Sequence, residues 1–586
     1  MLTTLLLAAT LLFTGTPDQT KPDLKTPYEK GNGNQTATYQ EAIDWYRKLD
    51  AAYDEVRMVP YGLTDSGRPL HLVIVSTDKD FDHASIKRKN KRVLFIQNGI
   101  HPGEPEGVDA TMMLARDYLQ DSKRRKQLNN TVLIIVPIYN IGGSLNRNSH
   151  TRTNQNGPES YGFRGNSRNL DLNRDFIKTD SRNAKLFHLI FRDWDPDVFM
   201  DNHTSNGADY QHVMTLIPTQ HNKLHPTLAS YLQQKMLPAL YSGMKKDKFP
   251  LVPYMSTIGE TPESGTIAFL ESPRYSTGYA ALYNTIGFMP ETHMLKPFDQ
   301  RVQSTYKLME NMLQIIDRDS EQIAAARAKA KQQTLTQQEF PLNWTLDTTK
   351  VERIPFLAYQ AKHKPSEVSG QERLYYDRSA PFSTTIPYYN TFTPTTTVKK
   401  PVAYIIPFAW EEVIERLKNE NVQMRQLKRD TTITLETYYI TDYKTGQRPY
   451  EGHYLHTDVK VEPRKMQRQF FQGDYVVYLN QEANRFLVET LEPQGADSYF
   501  AWNFFDSILM QKEHFSAYVF EDLAAEYLKN DPALRQQLEE AKKKDPNLAK
   551  SARAQLEFVY KHTPHYEYTH MMYPVGRLMQ DVKLPL

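Results

Sequence analysis

Two histidines and a glutamate lie at positions from which they could bind one metal ion. His101 and Glu104 are three residues apart, directly after the apolar segment RVLFIQNG, and His203 ends the segment DVFMDNH. Three such ligands with one open position make a catalytic zinc site. The competing interpretation is a pair of solvated loop histidines beside a glutamate at a helix start. The other candidates for the third ligand are three further histidines, His150, His212 and His293.

Two further motifs could bind a carboxylate and move a proton. Asn173 and Arg174 lie together in NLDLNRDF, and an arginine fork with an amide donor suits a carboxylate. Their acidic neighbours equally allow a structural salt bridge. Glu291 ends the apolar segment IGFMPE, where a half-buried glutamate could act as a general base. The alternative for Glu291 is an ion pair with Lys296.

The composition narrows the chemistry further. The chain has 586 residues and no cysteine, which excludes disulfides, zinc–thiolate sites and a cysteine nucleophile. A bound transition metal must therefore use histidine and carboxylate ligands. Lys and Arg total 71 against 69 Asp and Glu, a net charge of +2 that predicts no nucleic-acid partner.

Strands that alternate with helices surround these motifs. The pattern predicts strands at 68–75, 91–99, 131–140, 197–203 and 286–291, and helices at 104–119, 183–194, 222–240 and 297–316. This alternation indicates an α/β fold, with a mixed, mostly parallel sheet flanked by helices. Such sheets bind ligands beyond the carboxyl ends of their strands, where the candidate residues lie.

The chain divides into three predicted parts. Residues 1–18 resemble a signal peptide, because the twelve-residue apolar run at 2–13 is shorter than the about 20 residues of a membrane span. The alternative is a buried N-terminal helix. Residues 19–335 form the predicted catalytic domain, which ends in a surface helix and linker at 321–340. Residues 336–586 form a predicted accessory α+β domain. We expect an exported bacterial protein, periplasmic or secreted, with no membrane span.

The order of the motifs resembles that of a known family. His101-x-x-Glu104, Asn173-Arg174, His203 and Glu291 follow one another as in the zinc metallocarboxypeptidases of the carboxypeptidase A type, over roughly residues 30–320. The resemblance implies one zinc ion on His101, Glu104 and His203. It implies that Glu291 is the general base and that Asn173 and Arg174 bind the terminal carboxylate of a peptide substrate.

The resemblance also implies an arginine that polarises the scissile carbonyl and a mobile tyrosine. Arg152 is the first candidate for the arginine and Arg147 the second. Tyr275 and Tyr279 are the candidates for the tyrosine, although both lie closer to Glu291 than the family spacing implies. Arg274 is a further candidate for contact with the substrate carboxylate.

The implied function is zinc-dependent hydrolysis of peptide bonds that releases C-terminal residues. One alternative is the same chemistry on another amide, in N-acyl amino acids or cell-wall peptides. The other alternative is an exported binding protein whose enzyme site is degenerate. The presence of Glu291 favours an enzyme, because binding a metal alone does not need that base.

Overall fold

The computed structural model describes residues 23–586, so the predicted signal peptide lies outside the described residues. The strands of the first half are β1 (Val56–Leu63), β2 (Pro69–Val75), β3 (Arg92–Gln97), β4 (Thr131–Val136), β5 (Val198–Asp201), β6 (His203–Ser205), β7 (Met214–Pro218), β8 (Val252–Pro253), β9 (Thr266–Ile267) and β10 (Ile286–His293). All but β9 belong to one nine-stranded sheet in the order β1-β2-β4-β3-β5-β10-β7-β8, with β6 beside β10.

The middle of this sheet is parallel. Strands β4, β3, β5 and β10 run in one direction, whereas β1 pairs antiparallel with β2, β2 with β4, and β7 with β10. Every residue of β3 and β4 is buried, as expected for strands that helices cover on both faces. The predicted mixed, mostly parallel sheet is therefore confirmed.

Helices flank the sheet, and several begin at a side-chain cap. They are α1 (Pro27–Lys30), α2 (Tyr39–Ala52), α3 (His83–Arg88), α4 (Glu106–Gln120), α5 (Ser122–Lys126), α6 (Ile141–Leu145), α7 (Arg182–Trp194), α8 (Pro226–Tyr231), α9 (Leu237–Lys246), α10 (Ser276–Leu282), α11 (Phe298–Arg318) and α12 (Ser320–Thr336). Helix α2 starts at a capping box of Thr38 and Glu41, and Ser181 caps α7. The predicted helix at 222–240 is interrupted, because a π-helical turn at Leu232–Met236 joins α8 to α9.

The helix predicted at the surface before the linker is in fact half buried. Arg327 of α12 donates to the carboxylate of Asp195 at 2.5 Å and to the Asp195 backbone oxygen at 2.7 Å. These contacts hold α12 against the loop between α7 and β5. The two residues are 132 positions apart, so helical periodicity cannot reveal the contact. The predicted boundary at residue 335 lies at the end of α12, one turn before the next strand.

The second half is richer in antiparallel strands. Its strands are β11 (Glu339–Leu346), β12 (Glu352–Pro365), β13 (Glu372–Tyr389), β14 (Phe392–Lys399), β15 (Ala403–Ile406), β16 (Arg425–Gln426), β17 (Thr431–Thr445), β18 (His456–Phe470), β19 (Tyr475–Tyr478) and β20 (Gly576–Leu578). Its helices are α13 (Glu411–Asn419), α14 (Asn484–Leu491), α15 (Ala517–Asn530), α16 (Pro532–Lys544), α17 (Pro546–Lys550) and α18 (Ala552–Lys561). A six-stranded sheet in the order β16-β19-β15-β20-β17-β18 forms its centre, in accord with the predicted α+β architecture.

The two halves share a buried interior. One cluster of buried apolar side chains runs from Leu94 and Ile134 in the first sheet to Phe486 and Tyr573 in the second half. Strand β9, from the first half of the chain, also pairs with β13 of the second half. None of the helices between residues 23 and 586 combines the length and the apolar character needed to cross a bilayer.

Candidate metal centre and substrate cleft

The carboxyl ends of the central strands deliver the candidate ligands to one place. The chain leaves β3 through Gly99, whose φ of +64° allows a sharp turn that other residues rarely adopt. The Glu104 N–H then donates to the His101 backbone oxygen at 2.8 Å, which closes a turn before α4 begins. His203 opens β6, two residues after the end of the neighbouring parallel strand β5.

His101, Glu104 and His203 form a compact and buried group. Nδ1 of His101 lies 3.3 Å from one Glu104 oxygen, and Nδ1 of His203 lies 3.2 Å from the other. One ligand atom from each of the three residues lies within 4.8 Å of the others. No residue of the group is more than 4% exposed. Two imidazole nitrogens and a carboxylate make a donor set that zinc accepts.

A carboxylate behind each imidazole fixes which nitrogen faces the centre. Nε2 of His101 lies 2.9 Å from Asp171, and Nε2 of His203 lies 3.0 Å from Asp201. Such carboxylate–histidine pairs orient metal-binding rings. Nδ1 of His101 is buried and has no hydrogen-bond partner among residues 23–586. A buried nitrogen without a partner is costly, and a metal ion would satisfy it. The residues present therefore fit a zinc ion.

Glu104 is held from outside the group as well. The Thr204 N–H donates to one of its oxygens and Arg152 Nη1 to the other, both at 2.8 Å. Gly103 makes room for this arginine, because a Cβ there would lie 2.6 Å from Cδ of Arg152. Burial alone would raise the pKa of Glu104, but the charges of His101 and Arg152 hold it well below its usual value.

The group opens into a polar cleft of about 650 Å³. The cleft is lined by most of the residues predicted for the site, namely His101, Glu104, Arg152, Asn173, Arg174, His203, Tyr275 and Glu291. Glu291 of β10 is the register partner of His203 on the parallel strand β6, so their side chains lie next to each other. Burial raises the pKa of the Glu291 carboxyl to about 7. A carboxyl with a pKa near neutrality suits a group that takes up and releases a proton.

Asn173 and Arg174 lie at another wall of the cleft, in a 3-10 turn that Asp171 caps. The Arg174 guanidinium lies 4.6 Å from the centre of the Tyr275 ring, and its Nη1 donates to the Asn173 backbone oxygen at 2.8 Å. The Asn173 side-chain oxygen is buried without a hydrogen bond to any described residue. This wall therefore combines a cation, an amide and an aromatic ring, which suits an anionic group of a ligand.

Two predicted substrate contacts lie elsewhere. The Arg274 guanidinium donates to Asp497 at 2.6 Å and lies over the Trp502 ring, so it joins the two halves of the protein outside the cleft. Tyr279 is fully buried in α10, and its hydroxyl donates to Glu420 at 2.9 Å. The structure does not bring these two side chains into the cleft, because their partners lie in the second half of the chain.

The competing histidines are also accounted for. His212 is bound to the Pro250 backbone oxygen at 2.8 Å, His293 lies 2.9 Å from the Ala208 backbone oxygen, and His150 is exposed. Within residues 23–586, His101, Glu104 and His203 are the one group with metal-binding geometry.

Three residues of the site were not predicted. Arg164 lines the cleft, with its Nε 2.9 Å from Asp171 and its Nη1 3.5 Å from Glu104. Its position nine residues before Asn173, in the same loop, is the signal that could have identified it.

Glu271 lines the cleft from the chain between β9 and α10. Its position in the otherwise apolar segment TIAFLES is its only sequence signal.

The third residue comes from the second half of the chain. Glu451, in the loop between β17 and β18, accepts a hydrogen bond from the Asp171 N–H at 2.7 Å. Since Asp171 orients His101, the accessory half contacts the loop behind the metal ligands. No sequence pattern links residues that are 280 positions apart.

Comparison with known proteins agrees with this geometry. Residues 42–254 match the sequence model described as zinc carboxypeptidase, so this part of the chain is similar to that family. The match includes all three candidate ligands and the Asn173–Arg174 pair, whereas Glu291 lies beyond it. Zinc is the metal of this family, and the buried His–Glu–His group provides ligands for it.

Individual relatives are distant but extend beyond the matched domain. The chain is 22% identical to "Carboxypeptidase 2" of Trichophyton rubrum over 435 residues, which cover 71% of this chain and 75% of the relative. It is 22% identical to "Carboxypeptidase 2" of Trichophyton tonsurans over 78% of this chain and 79% of the relative. Among solved structures, the carboxypeptidase A from Helicoverpa armigera matches with 17% identity and a TM-score of 0.37, over 50% of this chain and 74% of that one.

Proposed function

We propose that this protein is a zinc-dependent carboxypeptidase that removes C-terminal residues from peptides. The observation that carries the proposal is the arrangement of one cleft. It brings a buried His–Glu–His group, the adjacent Glu291 and the Asn173–Arg174 pair together. A metal site beside a general base is typical of many hydrolases, whereas a carboxylate-binding wall in the same cleft favours substrates with a free C-terminus.

His101, Glu104 and His203 would hold the zinc ion. When bound, zinc supplies a Lewis acid that polarises a carbonyl group and makes water a better nucleophile. Glu291 takes up the proton of the attacking water on its carboxylate and donates it to the nitrogen of the leaving amine. The raised pKa of Glu291 supports this role, since the group must both accept and return a proton near neutral pH.

The three arginines have three different roles in this proposal. Arg174 and Asn173 bind the terminal carboxylate of the substrate. Arg164, whose side chain is 45% exposed at the cleft, stabilises the oxygen that becomes negatively charged when the scissile carbonyl is attacked. The family resemblance made Arg152 the first candidate for the carbonyl contact. In this proposal Arg152, which is ion-paired with Glu104, positions that ligand instead.

A release assay on matched substrates tests the activity. The zinc-loaded protein is given one N-blocked peptide with a free C-terminus, the same peptide with a C-terminal amide, and an N-acyl amino acid. The products are identified by mass. We expect release of the last residue from the free-acid peptide only. Equal cleavage of the amidated peptide, or hydrolysis confined to the N-acyl amino acid, would contradict the proposal.

Variants of two arginines test how the carboxylate is recognised. Arg174→Gln should raise KM for the free-acid peptide by about tenfold to a hundredfold. This factor corresponds to the free energy of one hydrogen bond between charged groups. Arg168→Gln is the matched control, because Arg168 is an exposed arginine of the same loop that donates to the Asp180 backbone oxygen. An unchanged KM in Arg174→Gln would remove Arg174 from the substrate site.

We also propose that the protein is exported, to the bacterial periplasm or to the medium. The support is the apolar run at 2–13, which has the length typical of a signal peptide. Sequencing the N-terminus of the protein isolated from its native cells tests this proposal. A chain that begins at Met1 would contradict it.

A further inference from the structure

Glu271 is a buried acid that the proposed mechanism does not use. It is 1% exposed, and neither carboxylate oxygen has a hydrogen-bond partner anywhere in residues 23–586. Buried carboxylates almost always have partners, because an isolated charge in a low-dielectric interior is strongly unfavourable. An acid left without one at the wall of a ligand cleft therefore indicates that the partner arrives with the ligand.

The surroundings do not supply that partner. The Lys223 ammonium group donates to the backbone oxygen of Glu271 and not to its carboxylate. The other charged groups facing Glu271 are His203, which has its own partner Asp201, and the acid Glu291. Burial accordingly raises the pKa of Glu271 to about 8. A cation beside the Glu271 carboxylate would stabilise its charged form.

The position of Glu271 relates it to the last residue of a substrate. It lies four residues before Tyr275, whose ring contacts the Arg174 guanidinium, and both residues line the same cleft as the metal ligands. In the proposed binding mode, the terminal carboxylate of the substrate binds Arg174 and the scissile bond lies at the metal group. The part of the substrate that then faces Glu271 is the side chain of its last residue. Phe269 and Ile217 add apolar surface there, which suits a long methylene stem.

On the basis of the proposed carboxypeptidase function, we infer that Glu271 selects peptides whose C-terminal side chain ends in a positive charge. The group recognised is an ammonium or a guanidinium. Its methylene stem packs on the apolar wall, and its charge pairs with the carboxylate that has no partner in the protein itself.

Peptides that end in arginine or citrulline test this inference, because the two side chains have almost the same shape and differ in charge. The wild-type protein should cleave the arginine peptide with a kcat/KM at least about tenfold higher, as expected for a buried charge-assisted pair. Glu271→Gln should lose this preference, so that the ratio of the two kcat/KM values falls close to one. Glu352→Gln is the matched control, since Glu352 lies at the neighbouring apolar cavity and should preserve the preference.

The outcomes separate a failure of the inference about Glu271 from a failure of the proposed carboxypeptidase function. A wild-type ratio near one would overturn the inference, as would a Glu271→Gln variant that slows both peptides equally. Failure of the wild-type protein to cleave either peptide would contradict the proposed function instead. In that case, calorimetric binding of free arginine and citrulline still tests Glu271. Tighter binding of arginine that disappears in Glu271→Gln supports the inference, and equal binding of the two ligands overturns it.

Discussion

Tyr279 offers a sharp test of the distinction between a structural and a catalytic tyrosine. Its hydroxyl donates to Glu420 at 2.9 Å, and its ring stacks on His188 with the ring centres 5.0 Å apart. Glu420 also accepts a hydrogen bond from Tyr283 at 2.7 Å. Tyr279→Phe removes only the hydroxyl and keeps the ring, so it isolates this one hydrogen bond.

The structure sets the size of the expected effect. A hydrogen bond to a charged group contributes about 1.5–3 kcal/mol to stability, and its loss leaves the buried Glu420 with fewer donors. Glu420 keeps Tyr283 and lies 2.9 Å from His188, so its charge remains paired. We therefore expect Tyr279→Phe to lower the free energy of unfolding by about 2 kcal/mol. The kcat/KM for a peptide should stay unchanged, because Tyr279 does not line the cleft.

Thermal unfolding and steady-state kinetics on the zinc-loaded protein measure the two quantities separately. Tyr283→Phe is a matched control that removes a second donor from Glu420 and should show the same pattern. Tyr275→Phe should show the opposite pattern, with altered KM and nearly unchanged stability, because Tyr275 lines the cleft. A Tyr279→Phe variant that folds as stably as the wild type but loses most of its kcat would refute this account.

Two further predictions concern the acids Glu271 and Glu451. Burial raises the pKa of Glu271 from 4.5 to about 8, so the folded protein binds one more proton than the unfolded chain between these pH values. The free energy of unfolding, relative to that of Glu271→Gln, should therefore fall as the pH rises from 4.5 to 8, by at most about 5 kcal/mol. Melting temperatures of the two metal-free proteins at pH 5 and pH 9 check this, and a constant difference would contradict it. Glu451→Ala should weaken zinc binding about tenfold, because it releases the N–H of Asp171 behind His101. A zinc titration checks this against Glu462→Ala, an exposed change on β18, and equal affinities in the two variants would refute it.

The central part of the fold and the metal group could be predicted from local patterns. Mostly apolar segments such as β3 and β4 indicate buried parallel strands, and parallel strands bring their carboxyl ends to one edge. His101 and His203 directly follow such ends, which is why strand order and residue type were enough to group them. Their Nδ1 atoms face the same carboxylate, although neither the ring orientation nor the role of Asp171 could be predicted from spacing.

The predicted site residues that the structure places outside the cleft are held there by contacts between the two halves of the chain. Tyr279 and Arg274 lie near the site in sequence, but Glu420 and Asp497 bind them from 141 and 223 residues away. Burial of a long polar side chain depends on such partners, and one sequence does not reveal them. The contact of Arg152 with Glu104 could not be predicted from the sequence either. It depends on the space beside Gly103, where a Cβ atom would collide with the Arg152 side chain.

Zinc content and turnover, measured together on three proteins, test the central claim most directly. The account predicts one zinc ion per wild-type chain, one zinc ion in Glu291→Gln, and none retained by His203→Ala. It also predicts that Glu291→Gln cleaves a free-acid peptide about 10²–10⁴ times more slowly than the wild type, the usual contribution of a general base. Undiminished turnover in Glu291→Gln, or a full zinc complement in an active His203→Ala protein, would contradict it.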